Sequence, residues 1–196
     1  MTFTNILGVY NLANTADRVN GARWYPEASN IAYALVNRYG VSYFQAVGVI
    51  AALSPRNKWE RNLADAENLI KVFSIDPESV DSVKVCTFGP NKAKAIRILT
   101  DKPTSHDEVL AILSGPKLQE FYSCIAGIND EVCIDGHAYS IWAGDRITLA
   151  DVPSIGKKLR KEIKADYREA ALQAGISPSE MQAITWCAWR RIHGVV

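Results

Sequence analysis

The chain has 196 residues, 48% hydrophobic and 22% charged; this composition suits a globular core and excludes a disordered or fibrous polymer. With 22 Lys and Arg against 21 Asp and Glu, a net charge of +1 excludes a dedicated polyelectrolyte binder yet allows a local basic patch. No apolar stretch approaches bilayer-spanning length, and the start MTFTNILGVYNLAN lacks a basic segment followed by an apolar run.

The expectation is therefore a soluble cytoplasmic protein, without a membrane partner, built as one domain over residues 1–196 and with the monomer favoured. Cys86, Cys124, Cys133 and Cys187 show no Cys-x-x-Cys spacing, so no metal site or other cofactor is expected. Their apolar neighbours point to buried free thiols.

In chain order, Trp24, Ala28, Ile31, Ala32, Leu35 and Val36 recur at helical spacing, predicting a helix over 24–39 that Gly40 stops. Residues 42–53 read as a helix apolar almost all round, which belongs in mid-core, and Ser54-Pro55 ends it. The polar run Arg56-Asn57-Lys58-Trp59-Glu60-Arg61-Asn62 leads to a helix over 63–73. A loop with a short helix follows at 77–85, then a turn at Gly89-Pro90-Asn91 and a basic helix over 92–99.

Ser105 N-caps a short amphipathic helix over 105–113, and Glu108 three residues later predicts a capping box. Ser114-Gly115-Pro116 reads as a tight turn before a helix over 117–125. Glu131 to Ile134 is a brief extended apolar segment, after which Asp135 opens a helix over 137–143. The basic run 157–161 precedes two last helices, over 161–174 and 178–192, the second started by Ser177-Pro178 with Glu180. Strand signals are too few for a sheet, so the fold class is all-α, a bundle with short connections.

Four segments carry chemistry through their order: Ala-Leu-Ser-Pro-Arg-Asn at 52–57, Phe-Gly-Pro-Asn-Lys-Ala-Lys-Ala-Ile at 88–96, Val-Leu-Ala-Ile-Leu-Ser-Gly-Pro-Lys at 109–117, and Val-Cys-Ile-Asp-Gly-His-Ala at 132–138. This series resembles the helix-hairpin-helix superfamily of endonuclease III and related base-excision DNA glycosylases, over about residues 42 to 145. The C-terminal helices resemble those of small uncharacterised tailed-phage proteins that share Asp-x-His-Ala and Gln-Ala-Ile-Thr-Trp. The resemblance implies a two-lobed helical bundle of the glycosylase type, with the hairpin region at about 105–145, acting on duplex or locally unpaired DNA. If phage-encoded, the protein would work in the host cytoplasm.

Carried over residue by residue, the resemblance makes Asp135 the catalytic carboxylate, which stabilises positive charge on the sugar and orients or activates water. Asp135 is equally suited to N-cap its helix, and the two roles are compatible. His137 stands where the family has its histidine, with packing or hydrogen bonding weighed against a general-base role. Gly115 remains of the phosphate-holding hairpin, but Pro116 removes an amide and the second glycine is absent. Lys117 lies about two residues before the Schiff-base lysine position of bifunctional members, which Gln119 occupies. A monofunctional mechanism is expected, with Lys117 a surface or phosphate-contacting lysine.

Arg56, Asn57, Lys58 and Trp59 correspond to the region that enters the stack when a base is flipped; a plain interhelical loop with Trp59 covering the core is the alternative. Asn91, Lys92, Lys94 and Arg97 are candidate DNA contacts, as are Lys157, Lys158, Arg160 and Lys161, although solvated helix faces explain the same runs. Trp186 and Trp189 read as core-facing, with Arg190 and Arg191 at an exposed basic end. Two other readings stay open: a base-modification enzyme on the same fold, and a catalytically silent nucleic-acid- or protein-binding module.

Overall fold

The computed structural model describes residues 2–128 and 130–194, and no strand occurs among them. Their regular structure is ten α-helices and one 3-10 turn: α1 (Phe3–Asn11), α2 (Thr15–Tyr39), α3 (Tyr43–Leu53), α4 (Trp59–Ile75), the 3-10 turn Pro77–Ser82, α5 (Gly89–Asp101), α6 (His106–Leu113), α7 (Pro116–Ala126), α8 (Gly136–Ala143), α9 (Lys157–Ala174) and α10 (Pro178–His193). The protein is all-α. No described helix is long and apolar enough to cross a membrane.

The helix boundaries depart from the sequence reading in informative places. α1 and the first nine residues of α2 are additional; Asn14 and Asp17 exchange side-chain-to-backbone bonds of 2.9 and 3.0 Å at the start of α2, a polar cap that apolar periodicity does not register. Gly89-Pro90-Asn91 is the first turn of α5 rather than a separate turn, because proline suits the opening positions of a helix. Pro116 opens α7 for the same reason. The capping box at Ser105 is half formed: its Oγ accepts from Glu108 N, but the Glu108 carboxylate reaches Thr104 N, one residue further back. Cys124 and Cys133 are buried free thiols as expected, whereas Cys86, in the irregular segment before α5, is exposed and Cys187 on α10 is half-buried.

The chain divides into two compact units, a terminal one (Met1–Glu27 with Gly127–Val196) and a central one (Ala28–Ala126). In the central unit α3 is the axis. Gln45 through Leu53 are all buried, and α4, α5, α6 and α7 pack round them. Ser42 and Gln45 complete a capping box at its start, and the same Gln45 amide donates to Leu99 O at 2.9 Å. Gly48 lets α5 and α6 approach, since a Cβ there would lie 3.0 Å from Ile98 and 3.1 Å from Val109.

In the terminal unit the core is Ile6 and Val9 of α1, Val132 and Ile134, Ala138 and Ile141 of α8, Ile163 and Tyr167 of α9, and Met181, Ile184, Ala188 and Trp189 of α10. α2 and α10 cross closely: a Cβ on Gly21 would fall 2.5 Å from the backbone of Ile184. The indole of Trp142 donates to Asp166 at 2.7 Å and Asn5 donates to the Trp142 carbonyl at 3.0 Å, so α8 is tied to both α9 and α1.

Candidate functional site

In the terminal unit the candidate carboxylate is placed by a short, firmly held segment. Val132, Cys133 and Ile134 are buried, and the half-buried Asp135 follows as the N-cap of α8, its Oδ1 accepting from Ala138 N at 2.8 Å. Aspartate in this position satisfies an orphan amide and complements the positive end of the helix. The cap uses Oδ1, so Oδ2 is the oxygen such a carboxylate can offer to a sugar or a water. His137, also half-buried, lies in the first turn of α8. Gly136 between them sits under Leu149, whose Cδ2 would lie 2.6 Å from an added Cβ.

The basic run of α9 has a defined task here. Arg160, Lys164 and Arg168 recur every four residues and so share one face. Arg160 Nη1 donates to Ile134 O at 3.1 Å, Lys164 pairs with the Glu131 carboxylate at 2.7 Å, and Arg168 Nε donates to Asp130 O at 3.0 Å. This stripe grips the segment that leads into Asp135. Arg160, a candidate phosphate contact by sequence, is thus directed at the backbone beside Asp135, while Lys157, Lys158 and Lys161 are exposed.

Tyr167 lies beneath the same turn, fully buried, with its hydroxyl donating to Ala138 O at 3.3 Å. Burial first, and then the nearby Asp135 charge, hold its phenol well above the ordinary tyrosine range, so it stays neutral. At the end of α10, Trp189 is in the core and Arg190 lies over the ring of the half-buried Trp186 at 4.3 Å. Arg191 is not a loose basic end: it binds Asp17 at 2.8 Å and Leu12 O at 2.8 Å.

In the central unit the structure gathers the remaining candidates around the C-terminal end of α3. That helix leaves backbone carbonyls without helical partners, as every helix does. Ser54 Oγ donates to Ala51 O at 2.9 Å, Asn62 Nδ2 to Ile50 O at 3.1 Å and Asn57 Nδ2 to Leu53 O at 3.4 Å. Asn57 also donates to Asp65 at 3.2 Å, so its amide is a brace for the loop.

Asp65 is the hub of this region. Buried at 4% exposure, it accepts from Arg61 Nε at 2.7 Å and Cys86 N at 2.7 Å as well as from Asn57, and thereby fastens the α3–α4 loop to the segment entering α5. Thr87 Oγ1 adds a bond to Pro55 O at 3.1 Å, and Asn91 donates to Thr87 at 3.4 Å. On this base the exposed guanidinium of Arg56 lies 5.2 Å from the ring centroid of Phe88. Arg56 and Asn57 are thus joined to Asn91, thirty-odd positions later in the chain.

Of the other central candidates, Lys94, Gly115 and Gln119 serve the turn between α6 and α7. Lys94 Nζ donates to Ser114 O at 3.0 Å, and Gln119 Nε2 donates to Leu110 O at 2.8 Å, closing the end of α6. Gly115 adopts φ +136°, a region that favours glycine, and Lys117 is exposed. Lys92 reaches the carbonyl of Asp81, and Arg97 pairs with Asp101 within α5. Lys58 is exposed, while the half-buried Trp59 packs edge-on to Phe121 with centroids 6.4 Å apart, which makes it a cover for this side of the core.

Asp65, Asn62, Phe88, Tyr167, Lys164 and Arg168 are missing from the sequence-derived set, and Arg160 entered it only as a phosphate contact. The signals present were the four-residue spacings of Arg61 with Asp65 and of the stripe on α9. No match is found among curated proteins or among solved structures. A family of unknown function, DUF7178, matches residues 1–193, and the chain belongs to that family.

Proposed function

We propose that the protein processes DNA bases: a monofunctional N-glycosylase-like hydrolase in which Asp135 acts on a nucleotide turned out of the stack. The observation that carries this reading is the placement of Asp135, a half-buried carboxylate at a helix start, behind a buried segment gripped from α9. Cleaving an N-glycosidic bond sends the bonding electron pair to the departing base and leaves positive charge on the sugar. A fixed carboxylate lowers the energy of that charge, then accepts a proton as water adds to the sugar carbon, and the proton passes to the base. The exposed Lys117 is offered no Schiff-base role in this reading, so borohydride treatment of a reaction mixture should trap no covalent adduct.

The test compares the parent with Asp135→Asn on oligonucleotides carrying a panel of modified bases, with released bases detected by mass. Asparagine still N-caps α8, so folding is preserved while the charge is lost. The expected result is base release by the parent and none by the variant. Equal release by both would remove Asp135 from the chemistry.

A second reading, a nucleic-acid-binding module without catalysis, draws on one observation. Lys94 and Gln119 are engaged in closing the α6–α7 turn, and Pro116 offers no amide there. It predicts no released base from any oligonucleotide and unchanged DNA affinity in Asp135→Asn.

A further inference from the structure

We infer that Phe88 and Arg56 form a stacking platform for an unpaired nucleobase, set in a patch that draws in the phosphates of a single strand. Three independent features of the central unit converge on this.

The first is charge. Residues 54–61 and 84–94, which Asp65 and Thr87 fasten together, carry Arg56, Lys58, Arg61, Lys84, Lys92 and Lys94 against the single carboxylate of Glu60. In a chain whose cations and anions nearly cancel overall, these two segments are positive and the rest is correspondingly negative, which concentrates the positive field here. Two anions adjoin it: Asp65, buried and paired with Arg61, and Asp81, whose backbone carbonyl accepts from Lys92, so the net excess rests on Arg56, Lys58, Lys84, Lys92 and Lys94.

The second is the ring. Phe88 is 49% exposed although it is a large apolar side chain, and it stands as the N-cap of α5 without a side-chain cap bond. A guanidinium beside an aromatic ring makes a flat, polarised surface on which any base can stack, since every base has a π-face.

The third is conformation. Arg56 has φ +54°, a left-handed geometry unfavourable for a residue with a Cβ, in a loop held by the Asn57 and Thr87 bonds. With the loop held in this geometry, the guanidinium stays beside the ring. Because the loop is braced, it presents a prepared face rather than a side chain that must push into a duplex. That favours a strand already unpaired over intact duplex.

The inference takes its ligand class from the nucleic-acid reading above, but it is read by binding and not by base release. Fluorescence anisotropy with a labelled oligo(dT) of about 15 nucleotides is compared with a blunt duplex of equal length. The parent should bind the single strand more tightly. Phe88→Ala should lose about tenfold affinity for oligo(dT) and little for duplex, while Phe88→Trp should retain it. Arg56→Gly, which suits the left-handed backbone and so folds, should weaken binding and reduce the salt dependence by about one phosphate contact.

Unchanged oligo(dT) affinity in Phe88→Ala overturns the platform, and so does an equal loss for both strands. Displacement of oligo(dT) by polyglutamate with the same potency as by unlabelled oligo(dT) would reveal a general polyanion patch and also overturns it. These outcomes stand apart from the Asp135→Asn assay: the platform can fail while base release persists, and it can hold while base release is absent.

Discussion

Asp135 in the terminal unit and Asp65 in the central unit show two ways a helical protein uses an aspartate. Asp65 is buried and receives three donors, from a side-chain amide, a guanidinium and a backbone amide, with both oxygens engaged in joining two loops. Asp135 is half-buried and capped through Oδ1 to Ala138 N, while its surroundings are fastened by other groups: the α9 stripe behind it and Tyr167 beneath. A carboxylate with both oxygens engaged by the fold holds structure together. One that is held in place mainly through its backbone retains an oxygen for something else.

The largest expected effect separates the two directly. Asp135→Asn should lower base release about a thousandfold with no measurable change in a urea-denaturation midpoint. Asp65→Ala should do the reverse kind of damage, costing about 3 kcal/mol because the Cys86 amide and the Asn57 side chain lose a buried acceptor. Hydrogen exchange would place that loss in the α3–α4 and α5 segments; protection lost evenly over the chain would contradict the hub.

Glycine substitutions sharpen the comparison of the two cores. Gly21→Ala forces a methyl against the Ile184 backbone, where nothing can rotate aside, and should cost about 3 kcal/mol. Gly48→Ala meets side-chain ends of Ile98 and Val109 at slightly longer range and should cost about 1 kcal/mol. Equal midpoints for the two variants would mean that the α2–α10 crossing yields as readily as the α3 surroundings.

A smaller effect is expected at the strained loop. Arg56→Gly should leave stability unchanged or raise it by about 0.5 kcal/mol, since relief of the left-handed strain offsets the lost packing on Phe88. A marked fall in thermal midpoint would show that the guanidinium holds the loop rather than a ligand.

The smallest concerns pH. The Tyr39 hydroxyl, aided by Arg38, holds the Glu67 carboxyl below its ordinary range. A lowered folded-state value means that its contribution is present above the unfolded value and is lost as pH falls through the folded one. Glu67→Gln should therefore flatten the acid limb of a stability–pH curve: the variant is slightly less stable than the parent at neutral pH, and the two converge well below about pH 4.

Much of the fold was legible before any coordinates. The unbroken apolar run of α3 required a central position, and Ser105, Ser177 and Gly40 marked ends through local rules of capping and backbone conformation. The opening of α2 escaped notice because it follows a polar cap rather than an apolar stripe, and α1 because it is short and has no side-chain cap. Of the candidate site, Asp135 was legible because a capping residue after an apolar segment is a local pattern. Asn57 and Lys94 were legible as polar loop or helix residues, but not as braces, because their partners lie on other elements. Phe88 passed for an ordinary apolar residue, since exposure depends on what fails to cover it.

Sequence by itself thus determined the all-α class, the buried axis of the central unit and the capping role open to Asp135, since each follows from spacing within one turn or one helix. Only the tertiary structure decided which polar groups are consumed by the fold and which remain available. Asp65 became a hub through Cys86, a residue twenty-one positions away, and Arg160 became a grip on the backbone before Asp135 from twenty-six positions away. Hydrogen-bond partners of this kind are set by how helices pack, which no local pattern encodes.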